Sequence, residues 1–440
     1  MNFPKYIIKD ATLPDGDKRD ITIQNGLIVA LSQTGSATPI STDHVVIQAK
    51  DCRVLPGLVD LHTHLREPGR EDSETVLTGS RAGARGGYTA LSAMANTSPV
   101  ADTAGVVEQV FRLGQEAGYL DVFPIGAVTE GLLGLSLSEI GAMADSIAHV
   151  RIFSDDGNCV FDPLLMRRSL EYVKKFGGVI AQHAQDPRLT IGSQMNEGEI
   201  SARLGLKGWP AVAEEAIIAR DVLLTDHVKS RLHICHVTTA GGVEIIRWAK
   251  QRGINVTAEV TPHHLLLSDE VASTYDPIFK VNPPLRSELD VHALREGLAE
   301  GIIDIVATDH APHPTESKEC EWQEASFGML GLETALSIVQ KTMVDSGLLD
   351  WQQVAERMSH APARIGGYDN QGQAIAVGSV ANLVVIDPSR NWLVDRDLTM
   401  SKATNTPYHG HTLPGVITHT FFKGRATVID STVEKIGEVQ

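Results

Sequence analysis

The sequence predicts an α/β protein: a (β/α)8 TIM barrel flanked by a small β-sandwich formed from the N- and C-terminal segments. Three observations carry this. Eight short apolar runs alternate with amphipathic stretches through the middle of the chain. Most of those runs end in a histidine, an aspartate or an asparagine, as barrel strands do where their ends share one site. The two flanks carry strands and turns instead. The boundaries read as 1–54 and 366–440 for the composite sandwich and 55–365 for the barrel.

In chain order, 20–24 alternates polar and apolar residues, and Asn25-Gly26 is a hairpin turn before the strand at 27–31. A further short strand lies at 45–47. Barrel strands are expected at 58–62, 89–93, 122–127, 150–153, 178–182, 232–235, 255–260 and 303–307. Helical patterns fall between them, at 73–85, 163–175, 213–224, 242–251 and 287–299. No Gly-x-Gly-x-x-Gly or P-loop pattern follows any strand, so nucleotide binding is not supported. After about Ile365 the chain returns to strands, at 377–387 and 415–424. Neither flank alone is long enough for a core of its own, which pairs the two in space.

At 440 residues the chain exceeds the usual size of one core. Lys+Arg 38 against Asp+Glu 55 gives a net charge of −17, which disfavours nucleic acid or an anionic membrane as a partner. A single arginine could still bind an anionic small molecule. The four cysteines fit no metal or redox spacing and are expected to be reduced thiols of a cytoplasmic protein. The first residues lack the apolar core of a leader peptide, and no apolar run is long enough to span a bilayer.

The chemistry gathers at strand ends. Leu58-Val59-Asp60-Leu61-His62-Thr63-His64 places two imidazoles at i and i+2, one face of a strand. Later ends carry Asn96-Thr97, Ser154-Asp155-Asp156-Gly157, His183, His236, Thr261-Pro262-His263-His264 and Thr308-Asp309-His310. Four imidazoles and two carboxylates on one rim point to a metal site. Six protein ligands are too many for one catalytic zinc, which keeps an open position. They suit two ions about 3.5–4 Å apart that share a hydroxide, with one carboxylate bridging and another moving the proton.

These residues resemble the amidohydrolase superfamily. The fuller set resembles the class I bacterial dihydroorotase family: His64-Leu65-Arg66-Glu67-Pro68-Gly69, Asn96-Thr97, Ser154-Asp155-Asp156-Gly157, Val260-Thr261-Pro262-His263-His264-Leu265, Lys280-Val281-Asn282-Pro283-Pro284-Leu285-Arg286 and Ala307-Thr308-Asp309-His310-Ala311-Pro312-His313. The resemblance implies reversible cyclisation of N-carbamoyl-L-aspartate to L-dihydroorotate, the third step of pyrimidine synthesis. It implies one ion on His62, His64 and Asp309, a second on His183 and His236, and Asp156 bridging both. The cofactor is expected to be zinc, two ions per subunit or one. Asp155, beside Asp156, is the competing bridging candidate. Many relatives bridge with a carboxylated lysine, and 151–159 contains none. Asp309 would be the catalytic acid and base. His64, Leu65, Arg66, Asn96, Asn282, His313, Phe327 and Gly328 match substrate-binding positions, with Arg66 and Asn96 gripping an α-carboxylate. His263, His264 and His310 are expected to hydrogen-bond or pack, and His233 carries no motif. Expected partners are a small-molecule substrate, a second copy in a homodimer, and aspartate carbamoyltransferase. The alternatives are another cyclic-amide hydrolase, such as an allantoinase or hydantoinase, and a non-catalytic scaffold for the carbamoyltransferase.

Overall fold

Apolar runs with hydrophobic residues on both faces form strands only where helices cover one side and a barrel interior the other. The computed structural model shows this arrangement. It describes residues 5–37 and 44–436; the 1–4 stretch read for a leader lies outside them. The barrel strands are Leu58–Thr63, Tyr88–Ala93, Asp121–Pro124, Ile152–Phe153, Val179–Gln182, Leu232–Ile234, Val256–Val260 and Ile305–Val306. Each matches an expected run within a few residues. The first three pair in parallel, as do the last five. Parallel bridges from Gly126 to Phe153 and from Thr63 to His310 join the two groups and close the cylinder.

Asp60 reinforces the seam between the first and eighth strands. It belongs to no described ligand group and accepts from the backbone of His62 (3.1 Å) and of Thr308 (3.0 Å) and from the Thr308 hydroxyl (2.5 Å). Val59, Leu61, Ala90, Ile152, Val179, Ala181, Ile305 and Ala307 form one buried cluster; Leu58, Leu91, Ile180, Leu232, Ile234, Val256 and Ala258 belong to another, with the helices. Alternation along each strand separates the two.

Local sequence fixes where the helices begin. Thr75 caps Val76–Arg85 through the Thr78 amide. Asp162 caps Pro163–Val173, with proline in the first turn, where its missing N–H costs nothing. Thr239 caps Ala240–Gln251, and Ser287 caps Glu288–Glu300. Each cap lies at the end of the loop that leads from a barrel strand into the outer helical layer.

The sandwich is one continuous sheet of nine strands among the described residues. Strand Leu383–Leu393 pairs antiparallel with Arg53–Pro56, which joins the C-terminal strands to the N-terminal ones edge to edge. Tyr6 and Phe421, whose strands have two others between them in the order, meet edge to face at 5.1 Å. The sheet therefore curls over its own core of Ile8, Ile21, Ile23, Val54, Leu383 and Val385. No described helix is long and apolar enough to cross a membrane.

Candidate active site

Barrel strands deliver their last side chains to one rim. His62 sits in the first strand, and Asp156, His183, His236 and Asp309 follow later strands by one to three residues. All are buried. Asp156 lies at the centre. Its Oδ1 is 3.1 Å from His183 Nδ1 and 3.0 Å from His236 Nε2. Its Oδ2 is 3.4 Å from both His62 Nε2 and His64 Nε2. One carboxylate thus faces two imidazole pairs with separate oxygens. Asp309 Oδ1 lies 3.1 Å from His64 Nε2 and 3.4 Å from His62 Nε2.

Asp155, the competing candidate, is turned elsewhere. It accepts from the backbone of Val128 (2.8 Å) and Thr129 (3.0 Å) and from the Thr129 hydroxyl. It anchors the loop after the third strand and lies in no described ligand group.

The donor set fits divalent cations. Three of the four described groups whose ligand atoms lie within 4.8 Å of one another are His62, His64 and Asp156; His62, His236 and Asp309; and Asp156, His183 and His236. His62 Nε2 is fully buried without a hydrogen-bond partner, although two carboxylate oxygens stand near it. A cation satisfies such an orphan. Burial alone would raise the Asp156 pKa, but the His62 charge and the hydrogen bonds of His183 and His236 hold it well below the usual carboxylate range. For Asp309, burial also raises it, and the His62 charge with the His64 bond brings it down to about 2. Both carboxyls are ionised at neutral pH, as ligands must be.

The outward nitrogens are tied as well. His62 Nδ1 is 2.5 Å from Glu259 Oε1, His64 Nδ1 is 2.9 Å from Asn96 Oδ1, and His183 Nε2 is 2.6 Å from Gln185 Oε1. Such partners fix which nitrogen faces the metal. Glu259 also accepts from His233 Nε2 (3.0 Å) and from the His236 amide (3.2 Å). Burial would raise its pKa, but the charge on His62 and the bonds from His233 and His62 carry it far below the ordinary range. His233, which carries no motif, therefore belongs to the support of the site. Glu259 and Gln185 were not singled out in the sequence. The available signal was a charged residue inside a buried apolar strand, and an amide two residues past a ligand. Cys235 also neighbours His62 and Glu259, but burial pushes its thiol up, so it stays neutral.

Arg66 is 6 % exposed, yet no carboxylate lies within ion-pair distance of it among the described residues. Its Nε donates to the Pro312 carbonyl at 3.1 Å. Burial and neighbouring Arg70 lower its pKa to about 10, leaving it charged at neutral pH. His313 lies 3.4 Å from the guanidinium and contacts the Phe327 carbonyl at 2.8 Å through the same nitrogen. Asn282 Oδ1 is buried without a partner. Gly328 has φ +149°, and a Cβ there would meet His313 Nε2 at 2.7 Å. These residues form one corner beside the imidazole cluster. Leu65 is the exception among the expected substrate residues. Its side chain belongs to the helix-covered core and lies where a Cβ on Gly79 would meet it at 2.5 Å. It lies just past the end of the strand at Thr63, and its packing against the helix Val76–Arg85 fills the space beside Gly79.

Of the other histidines, His264 lies 2.8 Å from the Thr261 hydroxyl and His310 Nδ1 accepts from the Gly331 amide at 3.2 Å. His263 packs on His264 at 4.5 Å, its Nε2 unpartnered among the described residues. Arg66, His236 and Asp309 all have left-handed backbones, with φ of 63°, 29° and 47°. Such conformations cost about 1–3 kcal/mol each and cluster where a side chain must be aimed.

A family model described as Dihydro-orotase-like matches residues 52–241. The dihydroorotase of Streptomyces coelicolor is 62 % identical over 97 % of this chain and 99 % of that one. The dihydroorotase of Leifsonia xyli is 59 % identical over 99 % of each. Among solved structures, the L-hydantoinase (dihydropyrimidinase) of Arthrobacter aurescens superposes with a TM-score of 0.86 at 26 % identity, over 98 % of both chains. That likeness extends over barrel and sheet together. Near-complete alignment at such identity leaves one conclusion: the chain belongs to the dihydroorotase family.

Proposed function

We propose that the chain interconverts L-dihydroorotate and N-carbamoyl-L-aspartate, the third step of pyrimidine synthesis. The observation that carries this is Arg66: a buried, charged guanidinium without a carboxylate, beside six converging metal-ligating groups. A buried charge needs a partner, and the α-carboxylate of this substrate supplies one.

His62, His64 and Asp309 would hold one ion, His183 and His236 a second, and Asp156 both, with zinc the expected metal. Bound there, the ions would lower the pKa of water and polarise the ring amide carbonyl. The remaining work falls to the chain. Arg66 and Asn96 orient the carboxylate, with Asn96 also linking that task to His64. Asn282, His313 and the Phe327-Gly328 backbone border the ring. In hydrolysis Asp309 takes the proton of the attacking water and passes it to the departing ring nitrogen; in cyclisation it runs the reverse. Cytoplasmic placement, a homodimer and association with aspartate carbamoyltransferase belong to the same reading and are tested by fractionation, sedimentation and co-purification.

The hydantoinase-like fold favours one rival, a hydrolase of other cyclic amides. A substrate panel separates the two. Dihydroorotate hydrolysis that exceeds hydantoin, dihydrouracil and allantoin hydrolysis is expected. Preference for any of the other three would overturn the assignment.

A further inference from the structure

Two stretches expected to border the substrate, Lys280–Arg286 with its Asn282 and the 326–328 loop, come from separate parts of the chain. One buried ammonium joins them. Lys318 follows the short turn Thr315–Ser317 and is 4 % exposed. Its Nζ donates to the carbonyls of Lys280 (3.1 Å), Ser326 (2.9 Å) and Gly328 (3.1 Å). The Gly328 amide in turn donates to the Lys280 carbonyl at 3.0 Å. No side-chain carboxylate lies within ion-pair distance of Lys318 among the described residues. Three carbonyls on one ammonium use all of its donors.

We propose that Lys318 is a positioning residue for substrate binding, its ammonium clamping the Phe327-Gly328 loop to the segment that carries Asn282. The proposal rests on the dihydroorotase reading above. Two further side chains make the clamp specific to the ring corner. Asn405 Nδ2 donates to the Gly328 and Ala311 carbonyls (3.2 and 3.0 Å), and His313 Nε2 contacts the Phe327 carbonyl. The Lys280 ammonium lies 4.4 Å above the Phe327 ring. A shift of the loop would therefore move Phe327, Gly328 and His313 together.

Burial and the nearby Lys280 charge lower the Lys318 pKa to about 7, against weaker support from Asp276 and Cys320. His313, the other titratable group that feels Lys318, is held down at about 3 and stays neutral. Above about pH 7 a neutral amine keeps two donors and turns a lone pair on the third carbonyl. The clamp should then loosen as pH rises.

The test is steady-state dihydroorotate hydrolysis by the full-length metal-loaded enzyme, between about pH 6 and about pH 8.5. Wild-type KM is expected to climb severalfold through about pH 7. Lys318→Met should raise KM about tenfold at the acid end, with kcat within about twofold and metal content unchanged, and should abolish the climb. Lys318→Arg, charged throughout, should keep the low KM at both ends. Wild-type KM in Lys318→Met, or parallel losses of kcat and metal, would overturn the proposal. If Lys318→Met does not fold, the wild-type profile decides: a flat KM overturns it. A wild type without dihydroorotate turnover contradicts the assignment of activity instead.

Discussion

Replacing Glu259 with Gln removes one charge and almost no volume. The carboxylate is buried and receives three donors: His62 Nδ1 at 2.5 Å, His233 Nε2 at 3.0 Å and the His236 amide at 3.2 Å. A carboxamide has one oxygen and one NH2. With its oxygen toward His62 the amide keeps that bond only as a neutral one, and its NH2 then meets His233, which must move its proton to Nδ1, 2.8 Å from the Thr257 hydroxyl, to accept. A charge-assisted hydrogen bond is worth about 1.5–3 kcal/mol, and one such bond to His62 is lost or weakened. Changes to groups behind a metal ligand typically cost about 10–100-fold in affinity. Glu259→Gln should therefore bind divalent metal at least about tenfold more weakly in competition against a chelator. Its cobalt-loaded visible spectrum should shift, because ring orientation at His62 changes. His233→Ala should move affinity the same way but less, since it leaves the His62 contact in place. Wild-type affinity and an unaltered spectrum in Glu259→Gln would refute the argument that this carboxylate sets the His62 tautomer.

Asp309→Asn, assayed with metal content matched to wild type, should lower kcat by about 10²–10⁴, the usual worth of a positioned acid–base group; near-normal turnover would remove that role. Arg66→Ala should raise KM for dihydroorotate by about 10–100-fold while kcat changes little, and an unchanged KM would end the carboxylate assignment. The adjacent aspartates should separate by assay. Asp156→Asn should lose metal, whereas Asp155→Asn should keep metal and lower the melting temperature by loosening Val128 and Thr129. Metal loss in the Asp155 variant alone would reverse the assignment.

The barrel strands were legible because strands covered on both faces read as unbroken apolar runs, and their ends carry the polar residues. Asp155 and Asp156 could not be separated by that logic. They share one turn, and only coordinates show that one faces Thr129 and the other His183 and His236. Glu259 and His233 were overlooked for a different reason, their polarity inside an apolar strand being the one signal. They sit within strands, at inward positions normally filled by apolar side chains, so nothing in their spacing marks them. Leu65 was placed at the site by its motif, although its side chain packs in the helix-covered core. Lys318 has no motif of its own, and its role depends on three carbonyls distant in sequence. The helices after the eighth strand are also irregular, with Ala335–Val339 running into a wider π-turn at Gln340–Val344, a pattern that no 3.6-residue period announces.

Metal stoichiometry measured together with dihydroorotate hydrolysis tests the central claim most directly. Purified protein titrated with zinc after chelation should regain activity in step with occupancy and saturate at two ions per chain. Full hydrolysis by the metal-free protein, or zinc bound at sites that survive removal of both His183 and His236, would contradict it.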